Sequence, residues 1–274
     1  MNIIITGSTA GLGLSMAIKF LQSNDKVIIS SRSSDKVNTV CKKLTAKFGS
    51  ENVFGIPCDV SKASEVKQLA HESVELLGTI NIWINNAGTS YKHGIPLIDN
   101  SDEMLEQIVD TNLLGTLLGC REALKIMTPQ DNGHIVNIAG RGTDGNASKN
   151  LIAYAATKRA LDVLHKSLVK ETDQSNVGIH LISPGMVLTK LLFQENTPLG
   201  TRKIFNILAE HPTVVANKLV PKIRNLKGTG SKTTILDRKK ALFRFITFFR
   251  YKNKFFDKEG KLLVSIDPMD TING

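Results

Sequence analysis

A chain of 274 residues, 41% hydrophobic and carrying a formal charge of +10, has the length for one large α/β domain with a water-excluding core. It contains no run of eighteen apolar residues, which argues against a transmembrane helix, and Cys41, Cys58 and Cys120 form no CxxC pairing, which argues against a disulfide scaffold. The six histidines lack ligand spacing, so no metal site is expected.

In chain order, short apolar and β-branched runs alternate with helix-period segments. Strands are expected at "NIIIT", "KVIISS", "NVFGIPCDV", "INIWINNAG", "GHIVNIAG" and "GIHLISPG". Between them "GLSMAIKFLQSN", "DKVNTVCKKLTAKFG", "SEVKQLAHESVELLG", "SDEMLEQIVDTNLLGTLLGCREALKIM" and "AYAATKRALDVLHKSLVKET" space their apolar residues by three and four, as helices do. Continuous apolar strands separated by helices imply α/β architecture, a doubly wound parallel sheet covered on both faces. Ligands of such a sheet bind outside the carboxyl ends of its strands. From about residue 190 the alternation weakens into helices broken by Pro198 and Pro212, then "KGTGSKTT" as a loop, then "DRKKALFRFITFFRYKNKFF" as a Phe-rich basic helix. We read 1–190 as a dinucleotide-binding and catalytic core and 191–274 as a lid and extension of the same domain.

The charge is concentrated at one end. Between Lys218 and Lys261 fourteen Lys or Arg face three Asp or Glu, whereas residues 1–217 are nearly neutral with 21 basic and 20 acidic side chains. A solvated face accounts for such a segment, and so does contact with an anionic membrane surface or an acidic partner; nucleic acid is the poorest fit.

Chemistry enters with "TGSTAGLG", directly after the first strand. Gly7, Gly11 and Gly13 permit a tight turn and close backbone approach to a pyrophosphate at a helix N-terminus, although G-x-x-x-G-x-G differs from the usual dinucleotide fingerprint. The second strand ends in Ser31 and Arg32, where an NAD-preferring enzyme places an acid. A carboxylate there would repel a 2'-phosphate that a guanidinium can grip in a fork, so NADPH is expected over NADH. Asp59, and Asn85 to Gly88, supply strand-end polar groups and a small-residue floor for adenine and ribose.

"TGSTAGLG", "CDV", "NNAG", Asn112, Tyr154-x-x-x-Lys158 and "SPGMVLT" occur in the order and spacing of the short-chain dehydrogenase/reductase family, which the chain resembles over residues 6–189. The resemblance implies a Rossmann-type fold and a nicotinamide cofactor held by Gly7, Ser8, Gly11, Leu12, Gly13, Ser31, Arg32, Asp59, Val60, Asn86, Ala87, Gly88, Tyr154 and Lys158. It further implies that Asp59 contacts adenine, and that Pro184 to Thr189, through Pro184, Gly185, Val187 and Thr189, closes over the nicotinamide. Family members are commonly dimers or tetramers, and a homodimer or homotetramer is expected.

Tyr154 and Lys158 suit carbonyl reduction on chemical grounds as well. Hydride arriving at a carbonyl carbon leaves an alkoxide that needs a proton from a placed acid, and a phenol serves if its pKa falls from about 10 towards neutrality. Lys158, four residues on, shares a helix face with Tyr154, and its charge would stabilise the phenolate. Asn112 lies inside an expected helix, where Asn is mildly unfavourable. The resemblance gives it the role of distorting that helix and holding a water that relays protons to the lysine.

The serine that the family places before the tyrosine falls here on Gly140 or Arg141. Thr143 and Ser148 are the nearby hydroxyls. "INIWINNAG", "GCREAL", "GHIVNIAGRGTDG", "YAATKRA", "SPGMVLTKLL" and "FNILAEHPTVVANKLVPKIRNLKGTG" are similar to the chlorophyll(ide) b reductase branch of the family, extension included. That branch reduces the 7-formyl group of the chlorophyll b ring to hydroxymethyl with a reduced nicotinamide cofactor, and a small hydroxyl residue in it aligns with Thr143. The expectation is a reductase of a carbonyl substrate, here a tetrapyrrole, with Thr143 catalytic beside Tyr154, Lys158 and Asn112, and Ser148 as second choice. Two other readings remain at this level: an oxidoreductase of another aldehyde, ketone or alcohol, and a nucleotide-binding relative without activity. With no transit segment at Met1 the sequence reads as cytoplasmic, or plastid if such a segment has been removed. The basic Phe-rich tail is the candidate for peripheral membrane contact.

Overall fold

The computed structural model describes residues 1–90 and 95–271. One seven-stranded parallel sheet runs in the order β3-β2-β1-β4-β5-β6-β7. The strands are β1 (Asn2–Thr6), β2 (Lys26–Ser30), β3 (Val53–Gly55), β4 (Ile82–Asn85), β5 (Gly133–Ile138), β6 (Val177–Ser183) and β7 (Lys232–Thr234). The helices are α1 (Gly11–Leu21), α2 (Ser34–Phe48), α3 (Ala63–Leu77), α4 (Asp102–Val109), α5 (Gly115–Gln130), α6 (Ile152–Glu171), α7 (Leu199–Leu208), α8 (Pro212–Arg224) and α9 (Arg238–Ile246).

The apolar runs explain the layering. Along β1 alternate side chains point to opposite faces, so Ile3 and Ile5 pack with α1, α2 and α8 while Ile4 packs with α3, α5 and α6. The chain winds outward from β1 to β3, then crosses back to β4 and continues the other way, which puts the topological switch point between β1 and β4. Their carboxyl ends, at Thr6 and Asn85, open the crevice that holds the site.

Three expectations need correction. "KGTGSKTT" is not all loop: Lys232–Thr234 extends the sheet beside β6, with Leu181 N–H donating to Ser231 O at 3.0 Å. A short polar edge strand carries no hydrophobic alternation to read, and such edges are kept short and polar to avoid pairing with other chains. The strand expected over "NVFGIPCDV" stops at Gly55, ahead of Pro57, which has no N–H for a ladder. The Phe-rich segment is a helix only over Arg238–Ile246, followed by a 3₁₀ turn at Phe248–Tyr251.

Beyond residue 190, α8 buries Val215, Ala216, Leu219, Val220 and Ile223 in the core it shares with α1. Phe205 of α7 and Ala209, just past its end, pack on Leu188, Phe255 and Phe256. Among the described residues no helix is long and apolar enough to cross a membrane.

Candidate active site

A cleft of about 1460 Å³ runs along the carboxyl ends of the strands. Pockets that enclose a drug-sized ligand measure roughly 300–1,000 Å³, so this one has room for a dinucleotide and a second large molecule together.

At its β1 end the glycine loop needs its glycines. Gly7 sits at φ +66° and Gly11 at φ +54°, in the left-handed region where side chains are strained. A Cβ on Gly7 would come within 2.8 Å of Ala87 Cα, and one on Gly13 would overlap Gly7 O. The loop is stapled from β4: Asn86 Nδ2 donates to Thr6 O at 2.9 Å and Gly7 O at 3.1 Å, and the Asn86 and Ala87 N–H groups both donate to Thr6 Oγ1 at 3.1 Å. "NNAG" therefore acts here as scaffold for the loop. Leu12, Asp59, Val60, Asn86, Ala87 and Gly88 all line the cleft.

Ser8, expected on the cofactor, is turned away. Its hydroxyl is buried, donates to Ile5 O at 2.7 Å and accepts from Ser30 N–H at 2.9 Å, tying β1 to β2. Thr9 takes its place on the wall. At the tip of β2, Arg32 lies exposed on the cleft, beside Ser31, whose buried hydroxyl finds no partner among the described residues. Lys36, in the first turn of α2, lines the same corner; sequence reasoning missed it, and its only signal was distance from Arg32 by one helical turn. Asp59 is held by Ser61, whose N–H and hydroxyl both donate to Oδ1 at 3.1 and 2.7 Å.

The catalytic candidates converge on the far side of the switch point. Helix α6 presents Tyr154 and Lys158, with the Lys158 ammonium buried, donating to Ile138 O at 2.9 Å and lying 5.7 Å from the Tyr154 ring centroid. Asn112 lies in a π-helical turn, Asp110–Leu114, that interrupts α4 and α5. Its fully buried amide accepts from Thr89 N–H at 2.8 Å and donates to Thr89 O at 2.9 Å. The widened turn is what lets this amide leave the helix and clamp the strand-end loop above Gly88, the arrangement expected of π-bulges at working sites.

The expected fall in the tyrosine pKa is not seen. Burial pushes the Tyr154 phenol up to about 12 and the Lys158 ammonium down to about 8, because a low-dielectric site disfavours the charged form of each. The lysine ammonium is engaged with the Ile138 carbonyl and lies against the ring, which leaves burial the dominant effect on the phenol. A phenol that stays protonated at neutral pH is suited to giving a proton.

The missing serine has a steric reason. A Cβ on Gly140 would lie well under 3.0 Å from Tyr154 Oη, so the tyrosine hydroxyl occupies the space over Gly140. Arg141 is exposed and donates to Ser148 Oγ at 3.0 Å. Thr143 faces the cleft, with its hydroxyl accepting from Gly140 N–H at 3.1 Å and a hydrogen left to donate; Ser148 is buried behind the wall.

Gly185, at φ +77°, turns the chain after β6. The following residues are braced by Glu210, whose N–H donates to Met186 O and whose carbonyl accepts from Leu188 N–H, both at 2.9 Å. Pro184, Gly185, Val187 and Thr189 thereby line the cleft opposite Gly11. Beyond them the wall turns apolar, with Leu191, Leu192, Ile204, Phe205 and Leu236.

The model of the short chain dehydrogenase family matches residues 1–199. A probable chlorophyll(ide) b reductase of Arabidopsis thaliana, described as chloroplastic, is 40% identical over 97% of this chain and 56% of its own length. A second chloroplastic chlorophyll(ide) b reductase of the same plant is 43% identical over 94% of this chain and 73% of its own. The chain thus spans just over half the length of the first of these relatives. Among solved structures, the closed form of a serine dehydrogenase complexed with NADP+ superposes with a TM-score of 0.73 at 22% identity, covering 87% of this chain and 96% of that one.

Proposed function

The chain belongs to the short-chain dehydrogenase family, and on that premise we propose that it is an NADPH-dependent reductase of the 7-formyl group of chlorophyll(ide) b. The observation that carries the substrate is the reach of the likeness. Identity with the plant reductases runs through 94–97% of the chain, well past residue 199 and so through the apolar wall that a substrate would meet. The plant relatives are described as chloroplastic, which favours a plastid, and membership of a family whose members commonly oligomerise favours a second copy of the chain as partner.

The residues fit a dinucleotide on structural grounds. The cradle between Gly7, Gly13 and Ala87 is one that side chains would fill, and Ser31 holds an orphan hydroxyl beside a guanidinium. In this reading the loop amides at the start of α1 take the pyrophosphate, Arg32 and Lys36 the 2'-phosphate, and Asp59 the adenine edge. A reduced nicotinamide held there would supply the hydride for the formyl carbon. Tyr154 donates its phenolic proton to the formyl oxygen, Thr143 donates a hydrogen bond to the same oxygen, and Lys158 supports the phenolate that forms. Asn112 keeps the loop at Thr89 clamped over the reacting groups.

Purified protein given NADPH and chlorophyllide b should erase the formyl-dependent absorption band. Turnover of simple aldehydes without loss of that band would transfer the reading to another carbonyl substrate. Arg32→Asp is expected to lower kcat/KM for NADPH about ten- to hundredfold, the range of a charge-assisted bond, while NADH is used as well or better. An unchanged ratio of the two coenzymes would remove Arg32 from the site. Thr143→Ala should cost about 10²- to 10³-fold in kcat, as loss of an oxyanion donor does, with NADPH affinity held; Ser148→Ala should cost little. The reverse pattern would assign the role to Ser148.

A further inference from the structure

Helix α9 wears its apolar side chains on the outside. Its inward positions are Ala241, Arg244 and, just past its end, Thr247, and none of its residues is fully buried. Leu242, Phe243, Phe245 and Ile246, with Phe248 and Phe249 of the following turn, stand 44–67% exposed. Single exposed apolar residues are ordinary; six within eight positions form a patch that marks an interaction surface.

Charge says what kind. From Arg238 to Phe256 there are seven Lys or Arg and no Asp or Glu. Helix α8 adds Lys218 and Lys222, which line a hollow of about 340 Å³ with Lys240, Arg244 and Glu210. Glu210 is already committed, to Arg244 and to Lys254 at 2.9 Å, and neither Lys218 nor Lys222 has a carboxylate partner among the described residues. A second copy of this chain is a poor occupant, since a two-fold contact would set a patch whose few acids, Glu210 and Asp237, are already paired with its own cations against itself. Aromatic and aliphatic side chains among an excess of cations, of which Arg238, Lys240, Arg244 and Lys254 have carboxylate partners and Lys239, Arg250 and Lys252 have none among the described residues, match an anionic lipid surface, which accepts the rings below its headgroups and the cations at them.

We propose that the outward face of α9 and the turn after it dock the protein on an anionic lipid bilayer, with Lys218 and Lys222 meeting headgroup anions. The position is apt: Leu236 and Asp237, which lead into α9, and Arg238, its first residue, line the main cleft. Docking therefore sets that cleft beside the lipid. Glu210 links the two, its backbone bracing the wall at Met186 and Leu188 and its carboxylate gripping Arg244 of α9. The proposal does not depend on which carbonyl is reduced.

Vesicle flotation tests it with the full chain. The protein should float with phosphatidylcholine vesicles containing phosphatidylglycerol, not with phosphatidylcholine alone, and less at high salt. Phe243→Ser/Ile246→Ser/Phe249→Ser should cut the bound fraction at least about tenfold, each lost side chain forfeiting burial in the interface. Lys218→Glu/Lys222→Glu should weaken binding to the anionic vesicles alone. Both variants should melt at the wild-type temperature, and Val163→Ser, at a site 58% exposed on α6, should bind as wild type. Three outcomes would overturn the proposal: wild type left at the bottom of the gradient with anionic vesicles, a triple variant that floats equally well, or a triple variant that changes only the oligomeric mass by light scattering. The last would hand the face to a second copy. A failed reductase assay would leave the flotation result standing.

Discussion

Tyr154→Phe is expected to lower kcat for carbonyl reduction by about 10²- to 10⁴-fold, the contribution of a placed proton donor, with NADPH affinity unchanged. The variant keeps the ring that Lys158 lies against and removes only the hydroxyl over Gly140. The same site sets the sign of the pH dependence. With the phenol pushed up to about 12, the proton donor stays loaded through the neutral range and its own titration does not limit reduction. Lys158, brought down to about 8, is charged below that pH and neutral above it. In the proposed reaction its charge steadies the phenolate left after proton transfer, so kcat should be level on the acid side and fall as pH rises through about 8. Reduction that stays level to about pH 10, where an unperturbed lysine would still be charged, would overturn the lowered Lys158 pKa as the source of the pH dependence. A Tyr154→Phe enzyme retaining more than about a tenth of wild-type kcat would remove Tyr154 as the acid.

What the sequence disclosed follows from which signals are local. Strands such as "NIIIT" announced themselves because a parallel strand buried on both faces must be apolar at every position. Gly7, Gly11 and Gly13 were legible as a tight glycine turn because backbone conformation and close approach leave glycine few substitutes. Asn112 stood out as an amide inside an apolar helical run, and the structure gives it a π-turn and a partner in Thr89. Other features depend on what lies across the fold, which no window of sequence contains. Ser8 carries the same local pattern whether it faces a ligand or Ile5, and only the neighbouring β2 decides. The direction of the Tyr154 pKa depends on how deeply α6 beds against β5, and helical spacing to Lys158 says nothing about that depth. β7 was unreadable because its three residues answer to β6, and the outward phenylalanines of α9 could be placed on a helix without revealing which side was covered.

Gly140→Ser puts a hydroxyl back near where the family pattern has one, and it is expected to damage the enzyme. The added Cβ would meet Tyr154 Oη well under 3.0 Å away and Lys158 Cγ at 3.1 Å. Tyr154 belongs to a packed helix whose next residues carry Thr157 and Lys158 into the core, so the ring yields only by a rotamer change or by lifting α6. Either response moves the acid off the position it shares with Thr143, and a displacement of about 1 Å can cost about 10²-fold in a placed reaction. We therefore expect kcat to fall by about that factor, with NADPH affinity near wild type because the glycine loop and Arg32 lie across the switch point. Stability should drop only modestly, by about 1–3 kcal/mol for overpacking at a half-buried ring. Gly140→Ala should behave in the same way, since the obstruction is the Cβ and not the hydroxyl. If Gly140→Ser raised kcat while Gly140→Ala lowered it, the serine hydroxyl would be working as a donor, and the assignment of that task to Thr143 would fall with it. The pair of variants thus separates two accounts of the absent serine: a hydroxyl dispensed with, or one displaced three residues along because the tyrosine has taken its room.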